Sequence, residues 1–186
     1  YTEELRDNKY ELIVVMDTPN GYKKYLKGKK KVQKKLKKIT TLFNTKVLCG
    51  SHVPGLIQKG KFELAQDYLD RTISQIETGI CIGFGEIGIQ HFDKSCGNEE
   101  IINTAGRQSE LILDKNNEIF LKMYDYANKN SLLMDIHYEP ARCQESPNTN
   151  QSVDYFKDVC RKYPNIKLSL AHTGMITSQK LEELIT

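Results

Sequence analysis

The chain reads as an α/β protein built on a parallel sheet, and three features carry that reading. Five short runs, 12–16, 46–52, 80–86, 131–137 and 166–172, are rich in Val, Ile and Leu and nearly continuous in apolar character. Strands covered on both faces read that way, whereas half-exposed strands alternate. Stretches with apolar residues at helical spacing separate the runs, so the expected order is β-α-β-α-β-α-β-α-β-α. Three of the runs end on a metal-capable side chain: Glu86, His137 and His172. In a parallel barrel the C-terminal strand ends share one face, where active sites sit. A doubly wound sheet and a (β/α)8 barrel share this pattern.

With 186 residues and 39% hydrophobic content, residues 1–186 suffice for one domain with a real core. No run of eighteen apolar residues occurs, so no membrane span is expected. No signal peptide is visible at the N-terminus. The five cysteines are odd in number and contain no C-x-x-C pair. Reduced cysteines in a cytoplasmic protein are therefore expected. Residues 23–38 hold ten lysines and no acid, so the net charge of +3 becomes −7 without them. An acidic molecule with one basic patch gives only weak support to nucleic-acid binding.

Taken in order, 12–16 is a buried strand closed by turn chemistry at Asp17-Thr18-Pro19-Asn20-Gly21. Val32, Leu36, Ile39 and Phe43 give the lysine-rich stretch one apolar helical face. The second strand, 46–52, ends at His52 and is closed by Pro54-Gly55. Phe62, Ala65, Leu69, Ile73 and Ile76 predict a helix, with Gly79 as its C-terminal stop. In the third strand, alternation points Ile80, Ile82, Phe84 and Glu86 to one side. Residues 87–113 form a long connection, of the length that functional loops have. Asp114 or Asn116 is the expected cap of the next helix, buried through Ile119, Met123, Tyr126 and Ala127. The fourth strand is 131–137, followed by a polar loop over 139–150. Val153, Phe156, Val159 and Tyr163 predict a helix that Pro164 ends. The fifth strand is 166–172, and a last helix starts near Ser178.

Imidazole and carboxylate groups suit divalent zinc, manganese or iron. A catalytic ion needs ligands from several rigid elements and one position left for water, whose pKa it lowers. Glu86, His137 and His172 each come from a different strand. No serine lies in a G-x-S-x-G elbow, which argues against a serine hydrolase.

Three segments resemble the amidohydrolase superfamily of metal-dependent hydrolases: Gly85-Glu86-Ile87-Gly88, the His137 strand, and Pro164 to Gly174 with its Ala171-His172-Thr173-Gly174 ending. The last is closest to the amidohydrolase-related branch. The glutamate strand is equally similar to TatD-like deoxyribonucleases and phosphotriesterase-like lactonases. The resemblance spans roughly 10–186. It implies a (β/α)8 TIM barrel of which about five β-α units, strands two to six, are present. It makes Glu86, His137 and His172 ligands of one or two divalent ions, zinc first and manganese or iron as alternatives. It also implies a small-molecule substrate carrying an ester, amide, lactone or phosphodiester bond, cleaved by metal-activated water. The family's first-strand His-x-His is missing, and its eighth-strand aspartate, the expected general base, falls outside this sequence. The chain also begins at Tyr1 rather than Met. It is therefore expected to be the inactive interior of a longer protein. Open parallel edges would favour a homo-oligomer. The alternatives are a TatD-like nuclease and a non-catalytic barrel that only binds.

His52, His91, Glu139 and Asp17 are expected as substrate contacts or supporting groups around the metal. Asp93 and Arg142 are weaker candidates for the same loops. Asp135, two residues before His137, lies on the same strand face but deeper.

Overall fold

A computed structural model describes residues 13–16, 45–92, 99–100, 110–139 and 149–171. Its sheet contains β1 (Ile13–Met16), β2 (Thr45–Gly50), β3 (Gly83–His91), β4 (Leu111–Ile112), β5 (Leu133–Tyr138) and β6 (Lys167–Leu170). The helices are α1 (Val53–Gln58), α2 (Phe62–Glu77), α3 (Glu118–Lys129) and α4 (Thr149–Lys162). Chain segments outside these residues include the lysine-rich stretch, the loop 140–148 and the helix expected near Ser178. Asp17, Asp93, Arg142 and His172 also lie outside the described residues.

The strands run β1-β2-β3-β5-β6, all parallel, and β4 pairs antiparallel with the end of β3. The fold class is α/β, as the apolar runs predict. Among the described strands the order never reverses, so there is no switch point of the doubly wound kind. Right-handed crossovers that always step in one direction put their helices on one side of a sheet. The core agrees. Residues of all four described helices join Phe84, Ile87, Ile89, Met134, Ile136 and Tyr138 in a single buried cluster. Asp135 and His137 alternate with Met134, Ile136 and Tyr138, so they face away from those helices.

Local chemistry sets the ends of the elements. Gly79, at φ +73°, stops α2. Its N–H bonds the carbonyl of Ile76 and the N–H of Ile80 bonds that of Gln75, both at 2.9 Å. That pair of bonds is a Schellman ending, which needs a left-handed residue at this position. The cap of α3 is neither of the expected residues. Asn117 is the cap, accepting from the Ile119 N–H at 3.1 Å. Asp114 instead accepts from the Asn116 N–H at 2.9 Å and shapes the turn before it. The Pro54-Gly55 pair, expected to close the second strand, sits inside α1, because proline fits the first turn of a helix.

The third strand departs most from expectation. It spans Gly83–His91 rather than 80–86, so the first five residues of the expected connection belong to the sheet. Its ladder with β5 slips twice, between Phe84 and Ile87 and between Gly88 and Gln90. Eight residues of β3, from Gly83 to Gln90, therefore oppose six of β5, from Leu133 to Tyr138. The first slip breaks the alternation that put Phe84 and Glu86 together. Phe84 and Ile87 enter the core, and Glu86 turns to the opposite side, where it meets His137. Extra residues of this kind re-aim side chains at sites.

Cys49 and Cys81 form a disulfide across 32 positions of sequence. It is buried with Val47 against Ile76 and Ile80. This corrects the expectation of reduced cysteines, and a cytoplasmic setting drawn from that expectation loses this support. Closing a loop of that length should stabilise the fold by about 4 kcal/mol in the chain-entropy model. Urea melts with and without reductant test this, with thiol release confirmed by mass. An unchanged midpoint after complete reduction would count against it. No helix among the described residues is long and apolar enough to cross a membrane.

Candidate metal centre

Four side chains meet at the C-terminal halves of β3 and β5: Glu86, the fourth of the nine residues of β3 rather than its last, with His91, His137 and Glu139. His91 is the last residue of β3, His137 the second-last of β5, and Glu139 follows β5 directly. Glu86 and His91 are five apart, which in an unbroken strand would put them on opposite faces. The extra residue between Gly88 and Gln90 brings both to His137.

His137 is held at both ring nitrogens. Its Nδ1 lies 2.7 Å from Glu86 Oε1, and its Nε2 lies 3.0 Å from Glu139 Oε1. His91 Nδ1 lies 2.9 Å from the same Glu139 oxygen and 3.4 Å from His137 Nε2. The two imidazole rings meet edge-on at 5.3 Å. The Glu139 carboxylate is fixed from behind, since its Oε2 accepts the backbone N–H of Phe92 at 2.7 Å. Its backbone is pinned as well. Gln90 Nε2 donates to the Glu139 carbonyl at 2.7 Å, and the Glu139 N–H donates to the Gln90 carbonyl at 2.9 Å.

Burial pushes the His137 imidazole down in pKa. The Glu139 and Glu86 carboxylates, bonded and charged beside it, outweigh burial and raise it to about 9. His137 is 7% exposed and Glu139 3%, so the contact between these two acts where water screens poorly.

The donor set suits a divalent ion. His91 Nδ1, His137 Nε2 and one Glu139 oxygen lie within 4.8 Å of one another. Their separations of 2.9, 3.0 and 3.4 Å are the size of one face of a coordination shell. Bonds of about 2.1 Å give edges of about 3.4 Å in a tetrahedron and about 3.0 Å in an octahedron. Two imidazoles and one carboxylate form a set used by catalytic zinc and by non-haem iron.

Of the expected ligands, Glu86 and His137 are brought together, and His172 lies outside the described residues. His91 and Glu139, expected only as supporting groups, supply two of the three clustered donor atoms. His52 is not one of the clustered residues. It is buried at the start of α1, with its ring edge-on to Tyr68 at 5.3 Å. Asp135 accepts a 2.5 Å hydrogen bond from Ser169 Oγ on β6, a polar contact between neighbouring strands. Gln90 and the Phe92 N–H were not anticipated. Both lie in what reads as a loop, and nothing in the sequence marks them. Comparison with protein-family models, curated proteins and solved structures gives no match.

Proposed function

We propose that this chain is part of a metal-dependent hydrolase of the amidohydrolase kind. One observation carries the reading. Three donor atoms converge at the C-terminal ends of two adjacent parallel strands, where α/β enzymes place their chemistry. Sequential strand order with helices on one side is also how one wall of a (β/α)8 barrel is built. His91, His137 and Glu139 hold the ion, with His172 as a further ligand on the sequence argument. Zinc suits the donors, and manganese or iron are the alternatives. A bound ion of this type acidifies water and polarises the bond to be cleaved. The chain's own part is to hold the donors rigidly, through the Phe92 N–H and the Gln90 brace. The substrate class is an ester, amide, lactone or phosphodiester.

The test is elemental analysis of the purified, dialysed chain beside a His91→Ala, His137→Ala, Glu139→Ala variant. One or two equivalents of zinc, manganese or iron are expected in the parent and none in the variant. The metal-loaded full-length protein is then screened against esters, amides, lactones and phosphodiesters. A folded parent that takes up no metal on resupply would leave a non-catalytic binding role in its place.

A further inference from the structure

The geometry points to a division of labour within this cluster: Glu86 is a positioning residue that holds His137 Nδ1–H, and the ion is gripped by His91, His137 and Glu139. This rests on the metal-binding reading above. It departs from the sequence expectation, which made Glu86 a ligand.

An imidazole binds a metal through one nitrogen and, with rare exceptions, gives the other's N–H to an acceptor. In His137 the two nitrogens face different carboxylates. Nε2 belongs to the triangle with His91 Nδ1 and Glu139 Oε1, whose edges match a coordination face. Nδ1 points to Glu86 Oε1 at 2.7 Å. One side of an imidazole ring cannot serve both partners, so the Glu86 oxygen that meets Nδ1 lies on the far side of the ring from the triangle. Accepting Nδ1–H there fixes the tautomer, leaves the Nε2 lone pair for the ion, and raises the ring's basicity. Glu139 is arranged in the opposite sense. One oxygen joins the triangle, and the other is taken by the Phe92 N–H, so it offers a single fixed oxygen. Glu86 is the more exposed of the two, its side chain 28% exposed against 4% for Glu139.

The experiment titrates cobalt(II) into the full chain and follows its visible absorption, then competes it with zinc at one pH. The variants are Glu86→Gln, Glu86→Ala, Glu139→Gln and His91→Ala. Glu86→Gln keeps an acceptor for Nδ1–H, so it should retain one equivalent, an unchanged cobalt spectrum and zinc affinity within about tenfold. Glu86→Ala should keep the spectrum and lose up to about a hundredfold in affinity. Glu139→Gln and His91→Ala should lose the stoichiometric site or change the spectrum. A second measurement does not depend on any variant: nitrogen NMR of the zinc-loaded parent should show His137 protonated at Nδ1 and metal-bound at Nε2. A changed cobalt spectrum in Glu86→Gln, or metal on Nδ1, overturns the inference while leaving metal binding intact. No cobalt uptake by the folded parent overturns the metal reading itself, and this inference with it.

Discussion

Replacing Gly83 by alanine should destabilise the protein by about 3 kcal/mol or more. A Cβ at this position would collide with the carbonyl oxygen of Leu133 and stand 2.9 Å from its carbonyl carbon. Those atoms are backbone of β5, so no side-chain rotation relieves the contact. The strands must move apart, and Gly83 with Leu133 is the first pair of the ladder that ends at Gly88 with His137 and Gln90 with Tyr138. The shift should therefore reach the cluster, and metal uptake should fall along with stability. Gly55→Ala is the control. A Cβ there meets nothing within 4 Å, and alanine in a helix interior is favoured over glycine by about 0.5–1 kcal/mol. Urea denaturation read by circular dichroism separates the two. A Gly83→Ala protein that unfolds at the parental midpoint would refute the argument.

The same ladder explains what could be read from the residues and what could not. The apolar runs marked the five parallel strands, because buried parallel strands have little polar character to confuse them, whereas the two-residue β4 lay inside the expected connection. α2, α3 and α4 were legible from helical spacing for the same reason: their buried residues, such as Leu69, Met123 and Phe156, recur on one face. His137 with Glu139 was half legible, since residues two apart in a strand share a face. His91 was hidden. Placing it beside Glu86 requires the extra residue between Gly88 and Gln90, and a shift of register leaves no mark in a sequence that offers glycines at Gly83, Gly85 and Gly88 alike. The disulfide was hidden too. Cys49 and Cys81 come together only because β2 and β3 are neighbours, a fact of topology that spacing does not contain. α1 was missed because Pro-Gly reads as a turn, although proline is equally at home in the first turn of a helix.

Raising the pH should weaken the metal-free protein and strengthen its grip on metal, and His137 is the cause of both. Its imidazole titrates at about 9 in the fold against about 6.5 in an unfolded chain. A group whose pKa is raised on folding adds stability in its protonated form. That contribution is complete below pH 6.5 and disappears as the pH climbs through 9. The change is at most on the order of 3 kcal/mol, since Glu139 is buried beside the ring but the Glu86 carboxylate is 28% exposed and partly screened by water. An ion at Nε2 must displace the proton held there, so each binding event releases that proton. Zinc affinity should consequently rise by about tenfold per pH unit between 6.5 and 9, then level off. The two trends run in opposite directions over one window, which no general effect of alkali would produce. Urea melts of metal-free protein at pH 6.5, 8 and 9.5, with zinc competition at the same values, measure both. His137→Gln should flatten the stability curve, since an amide does not titrate, and should lose the zinc site along with the ligand. Metal-free melts that stay flat in the parent while zinc affinity still climbs would refute the assignment of the displaced proton to His137.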